Sequence, residues 1–268
     1  MVDRVLAPYA LLVWAWCRAA AQYPVSLTLL TLAQLGAIGS ELVALLFVFG
    51  HTEALGGFTL AEALLVYGLA VTSFRTADLL LGNTERLGEH IRDGSFDVML
   101  VRPVAPLVQL ATDGFSPRRV GSVVPGVAAL AVGLASAGVE WTAGRVAALA
   151  VLLASGTALC CAVWLAGACL QFFVTEARQL AHSVTYGGQA LTEYPLSLYP
   201  RAVVRAVTFV VPLAFVSYQP ALYLLDRPDP LGLWPGLRHL CPAVAVLGCV
   251  LAALAWRAGL RHYRSTGS

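Results

Sequence analysis

Residues 144–174 read GRVAALAVLLASGTALCCAVWLAGACLQFFV, and Arg145 is the only charged residue among them. A helix needs about 20 mostly apolar residues to cross the hydrocarbon core of a bilayer, so this stretch is long enough to span it. The whole 268-residue chain has the same character, with 59% apolar and only 12% charged residues. A soluble domain has about 25% charged residues, which help to cover its surface. The sequence therefore predicts an all-α membrane protein.

Four further stretches satisfy the same length criterion, and the charges around them predict the orientation. They are residues 25–50, 58–82, 120–139 and 237–256. Arginines cluster behind the last span and in the long connection 83–119, and arginine-rich loops stay in the cytosol. We therefore expect both termini and this connection to be cytosolic. Residues 1–24 carry Trp14, Trp16 and Arg18, which suits an amphipathic helix that lies in the membrane interface.

One crossing is ambiguous, because two stretches before the last span qualify only in part. Residues 176–194 are apolar on one side only, whereas residues 202–225 are apolar but carry Arg205 near their start. Cytosolic termini require an even number of crossings, so we expect six transmembrane helices with one of these two stretches as the fifth. The distribution of arginines favours 202–225 as the crossing.

Polar side chains follow one face of the stretch 176–194. Their separations of 3, 4, 3 and 4 residues place them one above another on a helix. The five residues of this polar stripe are Gln179, His182, Tyr186, Gln189 and Glu193. A spanning helix with such a face lines a wet path or packs against protein, because lipid leaves polar groups unsatisfied. We predict that the polar stripe lines the substrate path.

Polar residues inside the apolar spans are further candidates, because a charge at the bilayer centre costs about 2.5–3.5 kcal/mol even on insertion scales. Glu41 lies near the middle of the first span, and Gln34 precedes it by seven residues on the same face. Glu41 fits two interpretations equally well, a contact between helices and an acid of the substrate path. Arg75 and Asp78 lie three residues apart in the second span, so we predict that they pair with each other as a structural latch.

The cytosolic connection begins with the charged run NTERLGEHIRDGSFD at residues 83–97. Asn83 or Thr84 can cap a short helix that runs through Asp93, and Gly94 can end it in the left-handed conformation. Such a helix, held just below the membrane, is either a docking element for a soluble partner or an ordinary solvated loop.

Motifs that are absent from the sequence also limit the possible functions. All 17 residues in the Lys and Arg total are arginines, which excludes the phosphate-binding lysine of a Walker A loop. The six cysteines contain no C-x-x-C pair, and the sequence has no H-E-x-x-H motif, so nothing supports a metal site. We therefore predict a non-enzymatic chain with no cofactor and no metal of its own.

Two parts of the sequence resemble one branch of the type-2 ABC transporter permeases. Residues 91–103 read IRDGSFDVMLVRP, which is similar to the I-R-x-G-x-[LF]-D-x-x-L-x-[RK]-P signature of that branch. The tail agrees through FVVP at 209–212, YQPA at 218–221 and WRAGLRHY at 256–263. The resemblance covers nearly the whole chain. It implies a single permease domain, residues 1–268, in a bacterial-type cytoplasmic membrane.

Permeases of this kind form the membrane part of an ATP-driven exporter. The resemblance therefore implies a second permease, the same or a related chain, and separate ABC ATPase subunits that hold ATP and Mg²⁺. It also favours residues 176–194 as the fifth span and residues 201–226 as a re-entrant hairpin on the outer side.

The resemblance gives residues 84–93 the role of a coupling helix that docks into the ATPase. The expected coupling residues are Thr84, Glu85, Arg86, Glu89, His90, Arg92 and Asp93. On an uninterrupted helix, the spacing of Glu85, Glu89 and Arg92 would place these three on one face.

Three classes of function are distinguishable by experiment. The exporter permease needs an added ATPase for transport. An ion-coupled secondary transporter would use Glu41, His182 or Glu193 as a proton relay and would work without such a partner. An intramembrane enzyme has no motif to support it, and we expect no nucleic-acid partner.

Overall fold

The computed structural model describes residues 3–174, 178–229 and 231–264, where the regular structure is helical apart from one isolated bridge between Leu55 and Phe58. In chain order the helices are α1 (Asp3–Ala21), α2 (Pro24–Phe49), α3 (Leu60–Leu81), α4 (Leu87–Arg92), α5 (Ser95–Val101), α6 (Pro106–Thr112), α7 (Arg118–Ser136), α8 (Ala143–Leu170), α9 (Arg178–Thr192), α10 (Arg201–Arg205), α11 (Tyr218–Leu224) and α12 (Cys241–His262). Five of them, α2, α3, α7, α8 and α12, are long and apolar enough to cross a membrane. The predicted all-α membrane fold is confirmed.

Helix α3 forms the centre of the bundle, and every residue from 63 to 71 is buried. Glycines let α7 approach it closely. A Cβ at Gly68 would overlap the backbone of Leu130, and a Cβ at Gly133 would lie 2.6 Å from the backbone nitrogen of Leu65. Membrane helices associate through such contacts between small residues, because lipid provides no hydrophobic drive for their association.

Helix α12 packs along α8 through a similar contact. A Cβ at Gly248 would lie 3.0 Å from a methyl group of Leu159 and 3.5 Å from the Cβ of Ala162. The thiol of Cys249 donates to the carbonyl of Ala158 at 3.5 Å. These two helices therefore form the second tightly packed pair of the bundle.

Two contacts show that α9 runs along the length of α3. Near the start of α9, His182 lies 2.9 Å from the carboxylate of Glu85, which follows the C-terminal end of α3. Beyond α9, the Ser197 hydroxyl donates at 2.7 Å to the carbonyl of Gly56, which precedes the N-terminal end of α3. The two contacts are separated by the length of α3, which is about 33 Å for its 22 residues. Residues 178–194 follow the course expected of the fifth span, and residues 176 and 177 of the predicted stretch lie outside the described part of the chain.

Residues 201–226 form a bent helix pair instead of a straight span. The two halves, Arg201–Val210 and Leu213–Leu224, meet at an angle of 80°. Just after the bend, the carbonyl of Val216 lies 3.1 Å from the position of a Cβ at Gly156, in the middle of α8. The bend therefore reaches the interior of the bundle.

Both ends of this bent pair lie at the N-terminal end of α3. The first half begins shortly after Ser197, which binds Gly56 there. Beyond the second half, Arg227 donates to Glu62 at 2.9 Å and to the carbonyl of Gly57 at 2.6 Å. A segment that enters and leaves at the same end has the geometry of a re-entrant hairpin. The pairing with Glu62 also explains how an arginine is accommodated at the end predicted to be the outer one.

Helix α1 lies beside the other end of α3. The Tyr9 hydroxyl donates to the carbonyl of Leu80 at 3.0 Å, and the guanidinium of Arg18 lies 4.7 Å from the ring centroid of Trp14. Helix α1 therefore lies at the end of the bundle from which the connection 83–119 begins, and the cytosolic side of the N-terminus stays a prediction. The interfacial location of residues 1–24 stays a prediction.

The hairpin geometry predicts that both ends of residues 201–226 are accessible from the same side of the membrane. Arg201→Cys and Asp226→Cys, each in a chain cleared of its six native cysteines, should both react with an impermeant thiol reagent added to intact cells. Arg92→Cys is the matched control and should react only after the membrane is opened. Labelling of only one end from outside would mean that the segment crosses the membrane.

Candidate functional site

The predicted coupling helix, residues 84–93, falls within residues 82–101, here called the coupling segment, which lie at the C-terminal end of α3. A 3₁₀ turn, Gly82–Arg86, continues α3 directly and leads into α4. Gly94, with φ of +69°, separates α4 from α5. Glycine adopts this left-handed conformation without the strain that a Cβ would add, and the conformation predicted at Gly94 is confirmed.

Asn83 and Thr84 do not cap α4, contrary to the prediction. The buried Thr84 hydroxyl donates to the carbonyl of Leu81 at 2.7 Å, and the Asn83 amide donates to the carbonyl of Ala111 at 3.1 Å. Because the 3₁₀ turn follows α3 without a break, both side chains bind neighbouring backbone rather than begin a new helix. The Thr84 side chain is therefore fully buried and contributes no exposed surface.

Glu85 also points into the protein and joins three segments. Its carboxylate accepts a hydrogen bond from the indole nitrogen of Trp164 at 2.7 Å and lies 2.9 Å from Nε2 of His182. Trp164 belongs to α8 and His182 to α9. The prediction that Glu85, Glu89 and Arg92 share one helix face is therefore wrong. The tighter 3₁₀ turn takes Glu85 out of the α-helical register.

Asp113, which precedes α7, holds two of the expected coupling residues. Its Oδ2 atom lies 3.2 Å from Nη1 of Arg86 and 3.2 Å from Nε2 of His90. Arg86 also pairs with Glu89 at 3.0 Å. Sequence reasoning missed Asp113, because only the fold of α6 brings it back to α4.

The surface of the coupling segment is smaller than the sequence suggested. Arg86, Arg92 and Asp93 are exposed, whereas Thr84 and His90 are buried. A partner that docks on this segment therefore meets Arg86 at the start of α4, the end of α4, and the exposed apolar side chains of α5.

The signature and the tail of the sequence meet in one aromatic cluster. Phe96 is fully buried, and its ring centroid lies 5.0 Å from that of Tyr263 and 5.6 Å from that of Phe172. The Tyr263 hydroxyl donates to Asp97 at 2.9 Å. Burial and this hydrogen bond raise the pKa of Tyr263 to about 12, so the phenol remains a donor at neutral pH. Gly259 faces the ring of Phe172, where a Cβ would overlap it.

Gln171 provides a further link between the coupling segment and the membrane helices. Its buried Oε1 accepts a hydrogen bond at 2.8 Å from the backbone nitrogen of Gly88 in α4. Sequence reasoning missed this residue too. The available indication was its polar side chain within the otherwise apolar stretch 144–174.

The polar stripe of α9 divides into two parts. Tyr186 stacks on His182 with ring centroids 4.9 Å apart, so this part extends the contact around Glu85. Gln189 donates to Glu193 at 2.6 Å, and both are buried. Gln179 is exposed at the start of the helix.

An apolar cavity of about 490 Å³ lies between α8, α9, α12 and the bend of the hairpin. Helix α9 contributes Ala181, Val184 and Thr185 to its wall, and none of the five stripe residues lines it. The polar stripe lies on another side of the helix, where Gln189 and Glu193 are buried whereas Gln179 and Tyr186 are exposed. Its assignment to a substrate path stays a prediction.

Arg75 and Asp78 do not form the predicted latch with each other. Arg75 lies 3.9 Å from Glu41 of α2, and Asp78 lies 3.6 Å from Arg119 of α7. The neighbouring helices supply these partners, so the two charges fasten α3 to two helices instead of bridging one of its own turns. Glu41 therefore makes a contact between helices, and Gln34 is half-buried on the same helix. Within the described residues, no group of three or more His, Cys, Asp or Glu could hold a metal ion.

Glu85→Gln tests the buried contact around Glu85. A hydrogen bond to a charged group contributes about 1.5–3 kcal/mol, and each kcal/mol corresponds to roughly 2–4 °C in melting temperature for a chain of this size. We therefore expect thermal unfolding of the purified variant at a lower temperature than wild type. The exposed Glu53→Gln is the control and should leave the melting temperature unchanged. Equal melting temperatures for all three proteins would contradict the assignment.

The match to a known family covers most of the structure described above. Residues 35–267, far more than half of the chain, match the family described as ABC-2 family transporter protein. No curated protein and no solved structure matches the chain. The matched range includes the coupling segment, the polar stripe, the hairpin and the last long helix. The chain therefore belongs to the ABC-2 transporter family and is a multi-pass membrane permease of that family.

Proposed function

We propose that this permease is the membrane subunit of an ATP-driven exporter and that separate ABC ATPase subunits power it through residues 82–101. The observation that carries the proposal is the attachment of this segment to three membrane helices by polar contacts of 2.7 to 2.9 Å. The contacts are Glu85 with Trp164 and His182, Gly88 with Gln171, and Asp97 with Tyr263. A displacement of the segment would act directly on α8, α9 and the end of α12.

The ATP chemistry belongs to the partner in this proposal. Because all 17 residues of the Lys and Arg total are arginines, this chain cannot supply a Walker A lysine. ATP and Mg²⁺ are therefore held by the ATPase. The exposed end of α4, with Arg92 and Asp93, is the surface that we assign to the ATPase cleft.

A second permease, the same chain or a related one, completes the transport path. Within α2 only Ile38 and Leu45 are buried, and the Glu41 side chain is 44% exposed. A charged side chain at such a depth is unfavourable beside lipid. We therefore propose that a second permease covers the exposed side of α2 and that the path runs between the two permeases.

Arg92→Glu tests the docking surface. Reversing this charge should weaken binding of the ATPase by about tenfold, which corresponds to 1.4 kcal/mol, and should lower ATP hydrolysis by the reconstituted complex. Arg261→Glu is the matched control, since it reverses an exposed charge at the end of α12. Equal ATPase binding by both variants would reject the end of α4 as the docking surface.

The requirement for an ATPase separates the exporter from an ion-coupled transporter. Proteoliposomes should accumulate a fluorescent amphiphile only when they contain permease, ATPase and ATP together. Accumulation by the permease alone, driven by a proton gradient, would reject the exporter and support the ion-coupled alternative, in which Glu41, His182 or Glu193 carries the proton.

A further inference from the structure

Two exposed arginines, Arg201 and Arg205, lie on the first half of the hairpin. Neither makes an ion pair or a side-chain hydrogen bond with any residue that the structure describes. Their spacing of four residues places them one turn apart on the same helix face, where like charges repel each other. The pair therefore attracts an anion that can lie between the two guanidinium groups.

The acids at the two sides of the hairpin already have partners of their own. Glu62 pairs with Arg227 at 2.9 Å, and Asp226, at the other end of the hairpin, pairs with Arg238 at 3.5 Å. Charges in a membrane segment are costly unless they are paired. The guanidinium group matches phosphate oxygens with two parallel hydrogen bonds, and phosphate is an anion that the membrane itself supplies.

The same helix face leads from the arginines to the apolar cavity. Residues Ala206–Val210 have π-helical geometry, with hydrogen bonds between residues five apart, so Phe209 and Val210 both lie about one turn beyond Arg205. Phe209 is 64% exposed and Val210 is 77% exposed, and both line the cavity. The arginine pair and the rim of the cavity therefore lie on one side of the hairpin.

The cavity is suited to a hydrocarbon chain. Its volume of about 490 Å³ lies within the range of about 300–1,000 Å³ that is usual for ligand sites. Among the described residues that line it, only Thr185 has a polar side chain. The buried small residues Ala162, Ala181 and Ala252 form its floor on three helices. A vacant cavity loses dispersion contacts along its lining, and an acyl chain would restore them without needing a hydrogen bond.

The length of the hairpin matches one leaflet of a bilayer. Its first half, Arg201–Val210, is about 15 Å long at 1.5 Å per residue. This length is half of a hydrocarbon core of about 30 Å. A lipid whose phosphate binds at the start of the hairpin therefore extends its chain to the bend, where Val211 and Pro212 line the cavity.

We propose that this face of the hairpin binds an anionic phospholipid of the surrounding membrane. Arg201 and Arg205 hold the phosphate, and one acyl chain passes Phe209 and Val210 into the cavity. The lipid thereby balances two charges for which the described chain provides no counter-ion. This binding does not depend on the exporter function proposed above.

Phosphatidylglycerol and phosphatidylcholine with identical acyl chains test the headgroup site, because only the first has a net charge. We expect the delipidated, full-length permease in neutral detergent to bind phosphatidylglycerol about tenfold more tightly, as measured by native mass spectrometry. The double variant Arg201→Gln, Arg205→Gln should lose this preference. Arg145→Gln is the matched control and should keep it, because Arg145 begins α8 at the same end of the bundle but already binds Glu140.

The cavity is tested separately by filling it. Ala166 is exposed and lines the cavity from α8, so Ala166→Phe should weaken phosphatidylglycerol binding by about tenfold. Ala154→Phe adds the same side chain at an exposed position of α8 outside the cavity and should leave binding unchanged. Glycerol phosphate, which has the headgroup without the chains, should not compete at the concentrations at which the lipid binds.

Equal binding of the two lipids by wild type, or an unchanged preference in the double arginine variant, would overturn the proposal. Competition by glycerol phosphate as strong as that by the lipid would also overturn it, because the ligand would then be free phosphate. Equal binding by Ala166→Phe and Ala154→Phe would reject the cavity as the place of the acyl chain. Because both arginines are exposed, the double variant should unfold at the wild-type temperature, which separates lost binding from lost folding.

Discussion

Hydrocarbon offers no hydrogen bond to a polar group, and this constraint determines how the charges of the bundle are arranged. The charged residues of α3 each find a partner on another segment. The pairs are Glu62 with Arg227, Arg75 with Glu41, and Asp78 with Arg119. Through them α3 is joined to the hairpin, to α2 and to α7. Because each charged residue of α3 needs a partner of opposite charge, these ion pairs also hold the segments together.

The central position of α3 connects the two ends of the molecule. At its N-terminal end, Glu62 holds the exit of the hairpin, and just beyond its C-terminal end, Glu85 holds α8 and α9. The glycine contact between Gly68 and the backbone of Leu130 fixes α7 to the same helix. The coupling segment and the hairpin are therefore both organised around one buried helix. A displacement at one end of α3 could be transmitted through these direct contacts to the segments bound at its other end.

The candidate site could be predicted from the sequence only where its chemistry is local. The left-handed turn at Gly94 and the shared face of the polar stripe depend on residues within one or two turns of helix, and both are present in the structure. The inward position of Glu85 could not be predicted, because Trp164 lies 79 residues away along the chain. Asp113 and Gln171 were missed for the same reason. The predicted latch within α3 failed because partners on α2 and α7 replaced a neighbour in the same helix.

The sequence by itself determined the membrane-embedded all-α class and the five long spans, since the length of an apolar run is a property of consecutive residues. It left the choice between residues 176–194 and 202–225 open, because hydropathy measures how apolar a segment is and not where its two ends lie. Only the tertiary structure shows that both ends of residues 201–226 lie at the same end of α3, through Ser197 at Gly56 and Arg227 at Glu62. It likewise decided which charges are exposed and which hold the helices together. Those roles depend on distances between residues that are far apart in the chain.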